Sequence, residues 1–284
     1  MGGEIILKTL DSYKKTDFIL EALLVILAIG MVIPIYYLLI TTFKSSSEAT
    51  LHPLWLPADW KFSGYADAWK AMNYPRVFLN NLFITVSSVL GVLLFASLAA
   101  YSFARRQTRL NNLTFYFILI GVTIPFQVAT IPLFRLIRNL GLIDNPLSVI
   151  FIYIFTLISF NIFLIKNFMN TVPIELEESA SIDGCGVAGT FFRITLPLLL
   201  PVIATVAILN TLTTWNDFFT PLLFLQSREK GVILLEVYRN IGKFAVDWTA
   251  FFPMMVLGIA PLLLFYVFMQ RFIISGIVTG AVKG

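Results

Sequence analysis

The 284-residue chain has one cysteine, Cys185, and one histidine, His52. A lone cysteine excludes an internal disulfide framework, and a lone histidine leaves no His-rich metal site. Charge is scarce as well. Only 13% of the residues are charged, against roughly 25% in a typical soluble domain, while 58% are hydrophobic and 15% aromatic, with Phe dominant. That balance excludes an ordinary soluble domain and indicates a polytopic membrane protein. The net charge of +4 is modest, and no basic cluster with interleaved aromatics points to nucleic acid. No G-x-x-x-x-G-K-[ST] phosphate loop is present, so the chain is not expected to hydrolyse ATP itself.

Crossing a hydrocarbon core about 30 Å thick takes about 20 apolar residues in a helix. Six stretches qualify: residues 18–43, 78–103, 113–136, 146–165, 196–223 and 251–272. The first follows Lys8, Lys14 and Lys15 as a signal sequence would, but it is too long for a signal core and reads as a retained anchor. No linker, composition shift or internal repeat divides the chain, so a single all-α membrane domain over residues 1–284 is expected, with both termini on one side. Lys and Arg are shared equally between the two sets of loops. The dense ARRQTR turn at 104–109, free of acidic residues, favours an inside N-terminus. The outer segments then hold Trp55, Trp60, Tyr65, Trp69, Tyr74, Tyr238 and Trp248, suited to an interfacial belt or to docking an external protein.

One stretch breaks the apolar pattern. ELEESASIDGCG, residues 175–186, holds three glutamates, an aspartate and two glycines around Cys185. Pro173 suits a first helical turn, the glutamates favour a helix N-terminus, and Gly184 and Gly186 can end a helix through positive φ. The expected helix over about 173–186 is near 16 Å long, too short to span, and lies on a surface. Ala180 and Gly184, with Ser179 beside them, form a small-residue face open to close approach. An acidic surface connector and a docking element both fit these facts.

The spacing narrows the choice. ESASIDG, nine residues and then Ile194, Thr195, Leu196 and Pro197 resembles the EAA signature of ABC-importer permeases, with Ser179 in place of the first alanine. FLNNLFITVSSVLGVLLFASLAAYSFAR, IPFQVATIPLFRLIRNLGLIDNPLSVI, TWNDFFTPLLFL and the tail QRFIISGIVTGAVKG resemble the carbohydrate-importer branch, the tail especially the shorter permease of maltose-type importers. The resemblance implies a six-span permease in the cytoplasmic membrane with both termini cytoplasmic. It implies as partners a second permease, an ATPase dimer and an extracytoplasmic solute-binding protein. It implies a carbohydrate as solute, with ATP and Mg held by the ATPase and no cofactor in this chain. The acidic helix would be a coupling helix in an ATPase cleft. Glu177 and Glu178 would contact the ATPase, Ser179, Ala180 and Gly184 would allow its approach, Asp183 would shape the turn, and Cys185 would lie within crosslinking reach. Gly280, Ala281, Val282 and Lys283 would reach the ATPase dimer interface.

Polar residues within the spans are candidates for the translocation pathway. Asn210, Thr213, Thr214 and Asp217 repeat at i, i+3, i+4 and i+7, which predicts one helix face. Gln127 and Asn161, and more weakly Asn80, Asn81, Ser87 and Thr130, are of the same kind. Such groups suit sugar hydroxyls, and equally serve as interhelical hydrogen-bonding glue. Pro125, Pro132, Pro197 and Pro201 are placed to kink or break helices around a cavity. A secondary transporter is the main rival, and a polyol or glycerol phosphate ester the main alternative solute. Inverted repeats and midplane charges, which would favour the rival, are not evident. The spans contain no histidine, cysteine or paired carboxylates for acid–base work, against an intramembrane enzyme.

Overall fold

Backbone groups in hydrocarbon have to find partners within their own segment, which favours helices. In the computed structural model, residues 15–244 and 247–281 are described, with side chains for 18–241 and 247–270, and all regular structure among them is helical. In chain order the helices are α1 (Lys15–Thr41), α2 (Ser46–Leu51), α3 (Ser63–Met72), α4 (Tyr74–Arg105), α5 (Arg109–Ile120), α6 (Phe126–Asn139), α7 (Pro146–Met169) and α8 (Glu175–Ile182). There follow α9 (Val187–Thr190), α10 (Leu196–Leu198), α11 (Leu200–Trp215), α12 (Phe219–Phe224), α13 (Ile233–Phe244) and α14 (Trp248–Ala281).

Among the described residues four helical stretches are long and apolar enough to cross a bilayer unbroken: Phe18–Thr41, Tyr74–Arg105, Pro146–Met169 and Trp248–Gln270. They match the expected first, second, fourth and sixth spans. The third and fifth correspond to bent helix pairs. Arg109–Thr123 and Phe126–Asn139 meet at 102°, and Val187–Leu198 and Leu200–Trp215 meet at 75°. The reason lies in proline. Pro125 has no N–H and separates the first pair. Pro197 and Pro201 flank Leu199 at the second break, with a π-helical turn at Phe191–Thr195 before it. Pro132, by contrast, is carried inside α6.

The chain forms two compact units, one of Met1–Trp69 with Lys243–Val256 and one of Lys70–Gly242 with Leu257–Gly284. In the first, α1 is nearly bare, with Leu24, Ile26 and Met31 among its exposed apolar residues. Its end is fixed by Tyr37, edge-on to Phe252 at 5.7 Å, and by Phe43 packing on Trp60, Phe62 and Tyr65. Lys44 is buried and donates to the carbonyls of His52 at 2.8 Å and Pro53 at 3.0 Å. Burial pushes its ammonium below the usual lysine range, against the pull of Glu48.

In the second unit α4 and α7 are the central pair. Gly91 sits against Ile154, where a Cβ would meet the isoleucine side chain, so the helices approach closely there. Ala96, Ala100 and Ala104 continue a small buried ridge along α4, packed with Ile162, Ile165 and Met169 of α7. Asn145 starts α7 by accepting from the Leu147 N–H, with Pro146 in the first turn.

Beyond α12 the chain is tied down by charge. Asp144, at φ 59°, accepts through Oδ1 from the N–H groups of Gln226 and Ser227, both at 3.0 Å, and from the Ser227 hydroxyl at 3.1 Å. Lys230 donates to the Asp144 carbonyl and lies 3.4 Å from its carboxylate. Glu236, buried, pairs with Arg228 at 2.9 Å and Arg239 at 2.8 Å. Burial works against ionisation of Asp144, but the Ser227 and Gln226 hydrogen bonds and Lys230 together hold its carboxyl below the usual range. A depressed carboxyl stabilises the fold above its unfolded pKa of about 4 and loses that contribution as pH falls through the folded value. Asp144→Asn keeps a side chain tolerant of positive φ but removes the charge, so we expect a loss of about 2 kcal/mol at pH 7. Thermal unfolding in detergent should show the gap from wild type shrinking as pH falls below the unfolded carboxyl value of about 4.

Candidate functional site

Helix α8 is the acidic segment, shorter than expected: it covers Glu175–Ile182, and Pro173 lies before its first turn. Its C-terminus closes by main-chain geometry. Gly184 takes φ +82° while its N–H donates to the Ser181 carbonyl at 3.1 Å and the Cys185 N–H to the Ala180 carbonyl at 2.9 Å, a Schellman closure. A Cβ at Gly184 would meet nothing within 4 Å, so conformation rather than crowding requires glycine there. Gly186, at φ −71°, does not use the positive-φ region and instead precedes α9.

The side chains sort into two sets. Glu177, expected to face a partner, is turned inward. Its Oε1 accepts from Arg105 Nε at 3.0 Å, Arg105 Nη2 at 2.9 Å and the Thr195 hydroxyl at 2.9 Å, and its Oε2 from the Tyr101 hydroxyl at 3.1 Å. Arg105 also donates to the Val172 carbonyl at 3.1 Å. One carboxylate thus joins the end of α4, the approach to α8, α8 itself and the π turn. Ala180 is buried too, so its small size serves packing within the chain. Glu178, Ser179, Asp183 and Gly184 are exposed, and Cys185 is half-buried. Beside them Leu176, Ile182 and Val187 present apolar surface, with Ile182 86% exposed. Sequence reasoning missed this ridge and the Arg105, Tyr101 and Thr195 partners. The ARRQTR turn was a signal for Arg105, but it was read for topology alone.

The pathway candidates do not form one stripe. Asn161 and Asn210 exchange reciprocal amide hydrogen bonds of 3.1 and 3.0 Å and are almost wholly buried, so they bind α7 to α11. Thr214 is buried and donates to the Asn210 carbonyl, whereas Thr213 and Gln127 are exposed. Asp217 is not on their helix face, because α11 ends at Trp215. Its Oδ1 accepts from the N–H of Phe219 at 2.8 Å, starting α12, and its Oδ2 accepts from the Tyr153 hydroxyl at 3.0 Å. Asn80 donates to the carbonyls of Glu229 and Gly231. A cavity of about 360 Å³ does lie between α4, α11 and α14, lined by Phe78, Thr85, Thr211, Trp215 and Phe265 among others. None of the six leading pathway candidates lines it. Gly280 and Ala281 fall at the end of α14, and Val282 and Lys283 lie outside the described residues. Among the described residues no group of His, Cys, Asp and Glu is arranged to hold a metal.

Residues 92–279, more than half of the chain, match the family model described as a binding-protein-dependent transport system inner membrane component. The chain belongs to this family. It is a multi-pass permease, a transport subunit of the ABC-importer class rather than an enzyme. The permease is 32% identical to the diacetylchitobiose uptake system permease protein NgcG of Streptomyces coelicolor, over 96% of this chain and 91% of that one. It is likewise 32% identical to the melibiose/raffinose/stachyose import permease protein MelC of Bacillus subtilis, over 95% and 98%. Among solved structures it superposes with TM-score 0.81 and 25% identity on a chain of a bacterial ABC transporter that imports the acidic polysaccharide alginate, over 91% of this chain and 98% of that one.

The permease should depend measurably on the Glu177 pin. Glu177→Ala strands Arg105, which is largely buried, and should cost about 3–5 kcal/mol. Removing both partners should cost much less than the sum of the two single losses, read as a double-mutant cycle of thermal midpoints.

Proposed function

We propose that this permease carries a carbohydrate, of oligosaccharide size, across the cytoplasmic membrane. It crosses the bilayer six times, the two bent helix pairs counting as one span each, with both termini cytoplasmic. It works with a second, homologous permease, an ATPase dimer that binds ATP and Mg, and an extracytoplasmic solute-binding protein, and it holds no cofactor of its own. The names of its relatives, for diacetylchitobiose and for melibiose, raffinose and stachyose, support the solute class.

The observation that carries the coupling role is α8, a short helix outside the apolar spans, anchored by a buried carboxylate and offering an exposed apolar and acidic ridge. On this reading Ile182, Glu178 and Asp183 enter the ATPase cleft. Glu177 transmits the motion inward through Arg105 rather than touching the ATPase. Closure of the ATPases on ATP then biases the permease between inward-open and outward-open states. The tail from Gly280 to Lys283 reaches the ATPase dimer interface.

Ile182→Glu places charge on a side chain that makes little contact within the chain, so folding should change by no more than about 0.5 kcal/mol. Uptake by proteoliposomes holding the full complex should fall tenfold or more on the scale of a lost interface anchor of about 1.4 kcal/mol or above. Undiminished uptake would remove α8 from the coupling path. A panel of oligosaccharides, polyols and glycerol phosphate esters, each with the binding protein, should stimulate ATP hydrolysis only for the oligosaccharides. Stimulation by a polyol or phosphate ester alone would overturn the solute class.

A further inference from the structure

A second pocket, unrelated to α8 and to the cavity beside α11, lies where α4 ends, α5 begins and α7 ends. It measures about 210 Å³ and is lined by Phe103, Ala104, Gln107, Asn112, Phe115, Tyr116, Lys166 and Asn170. Its wall is polar although it sits at the ends of three apolar helices. Lys166, Gln107, Asn112, Asn170 and Tyr116 bring donor groups to it, and no carboxylate lines it. Among the described residues none of these five side chains makes a hydrogen bond, and Lys166 has no acidic partner within 4.0 Å. Its Nζ instead rests 4.1 Å from the centre of the Phe115 ring.

A lysine at the end of a membrane helix ordinarily snorkels out to the headgroups. Lys166 is half-buried and turned toward the pocket, and Arg106 and Arg109 flank Gln107 in the adjoining turn. The position is that of the headgroup layer, because α5 starts beside the pocket and runs into the apolar zone. Along that helix Leu110, Leu113 and Phe117 are each about 70% exposed or more, apolar surface on the side of α5 turned away from Asn112 and Phe115. A cationic, donor-rich recess at the ends of three apolar helices suits the phosphate of a membrane lipid.

We infer that this pocket binds the phosphate of an anionic phospholipid of the membrane leaflet on the α8 side. Lys166 meets the phosphate charge, and the amides of Asn112, Asn170 and Gln107 donate to its oxygens. The acyl chains run from the pocket into the adjoining leaflet. This assignment depends only on the chain being a membrane permease, not on the solute or on the role of α8.

The test uses the full complex in nanodiscs of equal phosphatidylcholine and phosphatidylglycerol, released for native mass spectrometry. Wild type should retain phosphatidylglycerol in preference to phosphatidylcholine. Lys166→Gln should lower that retention about fivefold, the share of one lysine at a membrane surface, while Lys166→Arg should keep it. Millimolar inorganic phosphate should not displace the lipid. Equal retention of the two lipids, unchanged retention in Lys166→Gln, or loss in Lys166→Gln and Lys166→Arg alike would overturn the inference. Displacement by inorganic phosphate would overturn the lipid assignment in favour of a free-anion site.

Discussion

The buried pair between Glu177 and Arg105 is the constraint on which the acidic end of the second unit depends. Two charges taken out of water are tolerated only when each lone pair and donor finds a partner. Tyr101, Thr195 and the Val172 carbonyl complete that set. Because the five groups come from α4, the approach to α8, α8 and the π turn, none of these segments can shift without exposing an unmatched charge. A surface helix of eight residues, which would not hold its shape alone in water, thereby becomes a fixed part of a membrane protein.

The same principle recurs beyond α12. Asp144 and Glu236 organise the segment from Gln226 to Arg239, with Arg228, Lys230 and Arg239 as their partners. The ion pairs among the described residues thus fall at two knots, each securing a segment outside the apolar helices. Within the helices neutral amides also pair with one another, as in the Asn161–Asn210 exchange that binds α7 to α11.

Much of this was legible in the residues. Runs of about 20 apolar residues located the four unbroken spans to within a few positions, since length and hydropathy alone set that requirement. The prolines marked the two breaks, though not their angles, which depend on what each half packs against. Gly184 was legible as a helix stop through positive φ. The direction in which Glu177 faces was not legible, because its partner Arg105 lies 72 positions away and only folding brings the two together. Asp217 was misplaced for a simpler reason: a repeat of i, i+3, i+4, i+7 has meaning only while the helix continues, and α11 ends two residues earlier.

The contact between Gly91 and Ile154 has a mechanical consequence. With no Cβ on one side and a branched side chain seated on the other, α4 and α7 interlock like a tooth in a notch, and sliding or splaying them would open a void or force an overlap. Bending is easiest where the main-chain ladder is already interrupted, at Pro125 and around Leu199. The α4–α7 pair is therefore a spine, and the main-chain breaks lie outside it, at Pro125 and around Leu199.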